Sequence, residues 1–318
     1  MPATHLRRVQ LGKQTVFNTP VAATSLLRGV TDGSISIQHS DTVVEELGRN
    51  ISDLVIVSQR HVEGELELQA TYEDILYGLF GLFGPVAPSG NPPARVFNAP
   101  NTSFAAPQIY TIEYGTDGAE YRVVGGIIRE WTLSYEANEG VTESWSIIGR
   151  NVQAQAMTAN LPTRTVLPIL SRHASFFVDN IGTAHGTSGI PGTVISAELN
   201  INTNRHLKMF EGANPLGWGE GRWEVELSMT AEFNATAKAW VDALINDNVA
   251  RNIRMEFVGV ANSKELRIDF VGMLTEPPEL FGDRDGNMTV DLTWRALVGG
   301  PLNNWLQIRS ISGVATLP

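Results

Sequence analysis

Cysteine is absent from the 318-residue chain. Its absence excludes disulfide bonds, thiolate nucleophiles and zinc sites built on cysteine. A fold without covalent cross-links depends for its stability on side-chain packing or on assembly with other chains. We therefore expect a substantial hydrophobic core, an oligomer, or both.

Long apolar runs are also absent. No segment approaches the roughly 20 apolar residues that a membrane-spanning helix needs, and the opening MPATHLRRVQ lacks the apolar stretch of a signal peptide. We expect a soluble protein that is made in the cytoplasm and has no membrane partner. The length and the 42% hydrophobic content suit two ordinary domains better than one large domain.

Basic residues are scarce. The chain has 23 Lys and Arg against 34 Asp and Glu, a formal net charge of -11 and a sequence pI near 5.0. Proteins that grip nucleic acid gather cations into patches, and the longest basic run here is Arg7-Arg8. This balance argues against binding of nucleic acid and favours a surface that repels phosphate.

Catalytic and metal-binding motifs are the next absence. The six histidines show no HExxH or other ligand spacing, so we expect neither a metal nor a cofactor. The glycines of Gly217–Gly221 lead into a strand pattern and not into a helix, which argues against a phosphate loop. Acidic pairs suited to a hydrolase are plentiful but none is distinctive, so an enzyme is disfavoured.

Strict alternation of apolar and polar residues is what the sequence does contain. In Glu65–Tyr72 and again in Trp223–Phe233, apolar residues occupy one face and glutamates the other. Both patterns are typical of half-buried strands with an acidic outer face.

A helix is predicted after each of these strands, over Tyr72–Phe83 and over about Ala235–Asn246, because apolar residues recur at helical spacing. Strand and turn patterns follow each helix. The order strand, strand, helix, strands is thus written twice, which predicts two halves, 1–160 and 161–318.

The two halves also share a frame before the acidic strands. ISIQHSDTVVEELG (35–48) can be laid over LNINTNRHLKMFEG (199–212), with Ile35 on Leu199 and Ile37 on Ile201. Three stretches fall outside the repeat: the N-terminal arm LGKQTVFNTPVAATSLLRG, the Pro- and Gly-rich Gly84–Pro107, and a linker at Gln153–Pro168. We expect the first two to contact neighbouring molecules or solvent.

The acidic strands admit two interpretations. Glutamate on the wet face of a strand serves solubility in many proteins. Alternatively Glu65 and Glu67 in one half, and Glu224 and Glu226 in the other, occupy equivalent places and form one shared acidic wall, together with Glu232, Glu143 and Asp291.

The repeat resembles the major tail tube protein of long-tailed, siphovirus-type bacteriophages, in the long form that carries the tail-tube fold twice. The resemblance rests on LGKQT (11–15), TPVAAT (19–24), LRG (27–29) and the strand–helix unit GELELQATYEDILYGLFG (64–81). It implies a mainly β protein made of two tandem β-sandwich or half-barrel tail-tube folds, each with one flanking α-helix.

The resemblance also implies partners and a place in the cell. Three chains would form a homotrimeric, pseudo-sixfold ring, and rings would stack into the hollow tube of the virion tail, next to tape-measure and tail-terminator proteins. DNA would pass through without specific binding, along a lumen that Glu65, Glu67, Glu224 and Glu226 face. Assembly would take place in the host cytoplasm.

Three other functions remain open from the sequence alone. Other ring-forming tail components, such as a terminator, a hub or a secretion-tube protein, share the fold. A carbohydrate-binding β-sandwich would use exposed tryptophans, for which Trp218, Trp223 and Trp305 are candidates. The enzyme interpretation is the least supported of the three.

Overall fold

The fold was analysed in a computed structural model, which describes residues 6–45, 47–52, 54–246, 249–259, 263–275, 281–284, 286–299 and 305–317. The chain is mainly β, its strands pair antiparallel, and the two predicted helices are present. The mainly β prediction is therefore confirmed.

The first group of elements, here called the N-terminal set, contains nine strands and one helix. They are β1 (Arg8–Gln14), β2 (Ser25–Leu26), β3 (Val30–Val44), β4 (Leu54–Gln69), α1 (Ile75–Phe83), β5 (Ala94–Asn98), β6 (Ile109–Thr116), β7 (Ala119–Glu136), β8 (Thr142–Gly149) and β9 (Asn151–Ala154).

The second group, here called the C-terminal set, contains ten strands and one helix. They are β10 (Ala174–Asn180), β11 (Val194–Asn202), β12 (His206–Lys208), β13 (Gly217–Gly219), β14 (Glu224–Glu232), α2 (Ala235–Asn246), β15 (Arg251–Val258), β16 (Glu265–Leu274), β17 (Gly282–Arg284), β18 (Asn287–Ala296) and β19 (Leu306–Ile311).

The same strand pairings occur in both sets. β1 pairs with β6 as β10 pairs with β15, and β6–β7 matches β15–β16. Likewise β3–β4 matches β11–β14, β4–β8 matches β14–β18, β7–β8 matches β16–β18, and β7–β9 matches β16–β19. Each helix follows the equivalent strand, β4 or β14.

The strand register corrects the sequence alignment. Leu66 lies opposite Trp145 in the N-terminal set, as Leu227 lies opposite Trp294 in the C-terminal set. With these tryptophans as equivalents, Ile35 falls on Ile201 and not on Leu199. The alignment by eye was wrong by two residues, because side chains in a strand alternate with period two and a two-residue shift leaves the apolar frame unchanged.

Two stretches expected to lie free are held in the sheets. Residues 11–14 of the N-terminal arm belong to β1, which pairs along its length with β6. Within Gly84–Pro107, Ala94–Asn98 form β5, which pairs with β19 near the C-terminus. The buried Arg95 fixes this contact by donating to the backbone oxygens of Val314 and Ala315, at 2.7 and 2.8 Å. Composition predicted loops here because these partners lie far away in sequence.

The helices cover one face of the sheets. In α1, Ile75 to Leu82 are all buried, and Gly78 lies so close to Trp131 and Trp145 that a Cβ atom there would come within 3.0 Å of both indole nitrogens. In α2, Trp240 packs edge-on against Trp294. Ile245, which the helical spacing placed on the buried stripe, is instead 70% exposed.

The two sets are joined by a strand pair. β11 pairs antiparallel with the second part of β7, so that Leu133 lies opposite Leu199. The same side of β7 pairs with β6 over its first part. One sheet therefore runs through both sets in the order β3–β4–β8–β7–β11–β14–β18–β16, which we call the central sheet.

A buried arginine also ties the sets together. Arg205 donates to the backbone oxygens of Gly81, Leu82 and Ile128, and its Nε lies 2.9 Å from the Glu220 carboxylate. Its guanidinium lies between the rings of Trp218 and Trp223. Gly81 and Leu82 lie at the C-terminal end of α1, where carbonyl groups lack intrahelical partners and carry partial negative charge. Arg205 thus caps a helix of the other set.

Replacing Arg205 should be costly. In Arg205→Met the apolar stem is kept, but Glu220 and three carbonyl oxygens lose their buried donor, a change that typically costs roughly 3–5 kcal/mol. We expect chemical denaturation of the monomeric chain to show a loss of this size, against a change within about 0.5 kcal/mol for Arg172→Met at an exposed site. Equal effects of the two substitutions would contradict the capping role.

Candidate functional site on the polar face of the central sheet

The two faces of the central sheet differ sharply in chemistry. One face packs against the core and carries mainly large apolar side chains. The other, here called the polar face, carries carboxylate, hydroxyl and amide side chains, among them Glu67, Ser144, Thr132, Asn200 and Glu226, which form one row across five neighbouring strands. The alternation seen in the sequence produces this division, since successive residues of a strand point to opposite faces.

All four predicted glutamates lie on the polar face. Glu67 and Glu226 share the row just described, and Glu65 and Glu224 share the next one, with Ser146, Glu130 and Asn202 between them. Glu65, Glu67 and Glu224 are exposed and Glu226 is half-buried. The structure thus brings the acidic residues of both sets onto one continuous surface.

The equivalence proposed between the pairs needs correction. By the register of the two sets, Glu65 corresponds to Glu226, and Glu63 corresponds to Glu224. Glu67 corresponds to Ser228, which is not acidic. The acidic positions are therefore only partly repeated, although the polar character of the face is repeated throughout.

The spacing across the strands keeps the Glu67 and Glu226 carboxylates apart. Glu67 and Glu226 are separated by four strand spacings, which is roughly 19 Å. That separation exceeds the Debye length of about 8 Å at physiological ionic strength, so their mutual repulsion in solution is small. Within their row, the short side chains of Ser144, Thr132 and Asn200 lie between them.

Further acidic residues were missed by the sequence reading. β7 and β11 add Glu130, Glu136 and Glu198 to the polar face. β7 is one long strand with a bulge between Ile128 and Glu130. The alternation of Glu130, Thr132, Ser134 and Glu136 with buried Trp131 and Leu133 was the signal that could have located them.

Cations on this face are few and paired. Arg295 lies 3.4 Å from Glu224 and 4.0 Å from Glu226. Arg129 donates to Ser146 and lies 3.9 Å from Glu63, and Arg284 pairs with Glu136. With Glu65, Glu67, Glu130, Glu198, Glu232 and Asp291 also on the face or at its edge, acids outnumber bases among the described residues.

Glu143 contradicts its predicted place on the acidic wall. Its position in β8 shares the parity of Trp145, and in the sheet it lies between Leu68 and Leu133 on the core face. Its Oε2 accepts from the Nε1 atoms of Trp131 and Trp145 at 2.7 and 3.0 Å. Burial in this apolar setting raises the pKa of Glu143 to about 7, although the two indole donors act in the opposite direction.

The tryptophans suggested for sugar stacking have other partners. Trp223 donates to Glu220 at 2.8 Å and packs edge-on against Trp305. Trp305 donates to the backbone oxygen of Pro100, and Trp218 lies over Arg205. These contacts support a structural role for all three rings.

Two general features complete the site. Within the part of the chain that the structure describes, no three His, Asp or Glu side chains cluster closely enough to hold a metal ion. Neither described helix has the length and apolar content of a membrane-spanning helix.

Comparison with known protein families identifies the chain. The family described as phage tail tube protein matches residues 4–296, which is nearly the whole sequence. The chain belongs to this family. No curated protein sequence matches the chain significantly.

Membership of the phage tail tube family confirms the resemblance at the level of the family. The chain is a structural component of a bacteriophage tail, and tail tube proteins assemble with copies of themselves into a tube. The antiparallel β architecture with its two helices agrees with this assignment.

The buried carboxyl of Glu143 should make stability depend on pH. Because its folded pKa lies near 7 and its ordinary value is 4.5, the neutral form favours the folded state below pH 4.5, and this contribution is lost as the pH rises through 7. Wild type should therefore lose up to about 3 kcal/mol relative to Glu143→Gln between pH 5 and pH 8.

Thermal or chemical unfolding at several pH values measures this difference. Glu139→Gln, at an exposed position in the preceding turn, is the matched control and should follow the wild-type curve. Parallel curves for wild type and Glu143→Gln would show that the carboxyl stays ionised in the fold.

Proposed function

We propose that this tail tube protein forms homotrimeric, pseudo-sixfold rings that stack into the hollow tail tube of a siphovirus-type bacteriophage and pass DNA during ejection. In this proposal residues 1–160 and 161–318 are two copies of the tail-tube fold. The observation that carries it is the pairing of β7 with β11, which joins into one sheet two sets that share six strand pairings.

The β7–β11 pairing within one chain indicates how neighbouring chains pair with each other. When the two sets are compared, β16 is the counterpart of β7, and β3 is the counterpart of β11. On β16 the pairing with β15 ends at Gly272, and we place the neighbour's strand beyond that point. On β3 the described pairing is with β4 alone. Tyr114 and Arg7 already occupy the Gly33 carbonyl, so the available edge begins at Ser34.

Sheet edges of this kind favour closure. An exposed edge presents unpaired backbone groups and recruits other strands. If each chain contributes two folds, three chains joined β3 to β16 complete six folds in a closed ring with no free edge. Since α1 and α2 cover the core face, the polar face is the one left to line the lumen.

An acidic lumen suits the passage of DNA. A wall of Lys and Arg would hold phosphates with strong, salt-dependent affinity. Glu65, Glu67, Glu224 and Glu226, set among short polar side chains, would repel the DNA backbone and leave it free to slide. Tape-measure and tail-terminator proteins are the partners that we expect inside and at the end of the tube, with assembly in the host cytoplasm.

Engineered cysteines test the proposed ring directly, since the chain has no cysteine of its own. Asn200 lies opposite Thr132, and their equivalents are Ser34 and Thr275. We expect Ser34→Cys with Thr275→Cys to form a disulfide between chains in assembled tubes, giving covalent trimers on non-reducing gels.

The control for this experiment is Ser34→Cys with Thr230→Cys, which places the second cysteine on the polar face away from the edge. Covalent trimers from the control but not from Thr275→Cys would refute the proposed register. Discrete rings without tubes in electron micrographs of wild type would favour a terminator or hub protein instead.

Charge reversal tests the role of the polar face. Changing the four glutamates at positions 65, 67, 224 and 226 to Lys should leave tube assembly intact and slow DNA ejection, because phosphates would bind the wall. Replacement of the same four by Gln is the matched control and should slow ejection far less. The rate is measured by dye release from filled virions.

Salt separates the charge effect from a packing effect. The slowing caused by Lys should diminish as ionic strength rises, because phosphate contacts weaken steeply with salt. An ejection rate that is the same for Glu, Gln and Lys would refute a lumenal position of these residues.

A further inference from the structure

A long hairpin leaves the sheet at the ends of β3 and β4. Residues 41–57 of this hairpin, here called the arm, expose apolar side chains on both faces. The exposed fractions include 105% for Leu47, 80% for Ile51, 54% for Leu54 and 52% for Val55. Such a dense apolar surface is unfavourable in water and typical of a segment that packs against a partner.

The C-terminal set contains the counterpart of the arm, and there it is docked. The β12–β13 hairpin connects β11 to β14 as the arm connects β3 to β4. This hairpin crosses the boundary between the sets and packs on the N-terminal set. Ala213 accepts from the backbone N–H of Arg60 at 3.0 Å, Pro215 accepts from Arg150 at 3.1 Å, and Phe210 accepts from Gln59.

The receiving residues have equivalents in the C-terminal set. With Leu66 matched to Leu227, Gln59 and Arg60 correspond to Glu220 and Gly221. With Trp145 matched to Trp294, Arg150 corresponds to Gly299. Comparison of the two sets therefore indicates that a neighbour's arm would dock near positions 220, 221 and 299.

A groove of about 650 Å³ occupies that place. Glu220, Gly221 and Val298 line the groove at or next to the expected positions. The other lining residues are Pro100, Asn101, Ser103, Phe104, Arg222, Trp223, Glu224, Val225, Arg295, Ala296, Leu297 and Trp305. Phe104 and Val298 are 75% and 71% exposed, so the groove presents accessible apolar side chains beside its charged and polar ones.

Charge also matches across the proposed contact. Among its described residues the arm carries Asp41 and Glu45 against Arg49. In the groove, Glu220 is neutralised by the buried Arg205, and Glu224 is paired with Arg295. Arg222 is exposed at the rim and is available to an acidic segment.

We propose that the groove binds the arm of a second copy of this chain, the neighbour in the same ring. This contact rests on the proposed ring and adds a second element to it. Each interface between neighbouring chains consists of a strand pair and a hairpin that packs across that pair. The arm of one chain reaches the C-terminal set of the next, as the β12–β13 hairpin reaches the N-terminal set of its own chain.

Photo-crosslinking locates the partner surface of the arm. p-Benzoylphenylalanine is placed at Leu47 or at Ile51, and tubes assembled from mixed 14N and 15N chains are irradiated and digested. We expect mixed-isotope crosslinks from the arm to peptides that contain 100–104, 220–225 or 295–298. Crosslinks between chains that map elsewhere, or crosslinks within one chain only, would overturn the proposal.

Substitutions test the energetic importance of the contact. Phe104→Glu with Val298→Glu places carboxylates in the groove at exposed positions, so the monomer should unfold as wild type does. Assembly should need about tenfold more protein or fail, because the apolar arm would bury the new carboxylates without partners, which costs free energy. Leu47→Glu with Ile51→Glu should have the same effect from the other side.

Ile245→Glu, on the exposed side of α2, is the matched control and should assemble normally. Normal assembly of both double variants would overturn the arm contact. If wild type forms no tubes, the proposed function is refuted. If the Ser34→Cys, Thr275→Cys variant forms disulfide-linked tubes but the arm gives no crosslinks, only the arm contact is refuted.

Discussion

The pairing of β7 with β11 is the constraint on which the rest of the molecule depends. A strand edge must be paired, covered or blunted, and in this chain the edge of one set is paired with the edge of the other. That single joint aligns the two polar faces, brings the β12–β13 hairpin onto the N-terminal set and places Arg205 at the end of α1. Each of these contacts depends on the same relative position of the two sets.

Several buried polar contacts cross the boundary between the sets. Arg205 reaches from the C-terminal set to α1, Lys264 pairs with Glu73 just before the same helix, and Arg95 holds the C-terminal backbone. Burying a charge costs free energy unless its hydrogen bonds are met, so such contacts favour one arrangement over near alternatives more than they favour folding itself. These contacts specify the relative position of the two sets, and one apolar core cluster extends through both of them.

Local patterns in the sequence carried most of the element types. The alternation around Leu66 and Leu227, and the helical spacing from Ile75 to Phe83, are set by neighbours within a few residues. The register between the sets could not be read in the same way, since a two-residue shift preserves the frame. β5 was missed because its partner β19 is distant in sequence, and nothing local distinguishes Ala94–Asn98 from a loop.

The candidate site shows the same division. Parity alone placed Glu65, Glu67, Glu224 and Glu226 on one face, and parity with Trp145 could have placed Glu143 in the core. The assumption that a glutamate faces water overrode that signal. The row from Glu67 to Glu226 depends on strands from both sets, so its continuity required the β7–β11 pairing, which the sequence does not encode locally.

The clamp between β5 and β19 has a consequence for the time course of synthesis. Asn98 lies opposite Gln307, and Arg95 binds Val314 and Ala315, so a segment made early is completed by residues that are made much later. Contacts of such long sequence separation form late in folding. Until those residues are made, β5 lacks its partner strand and Arg95 lacks two of its acceptors, so the N-terminal set of a nascent chain stays incomplete.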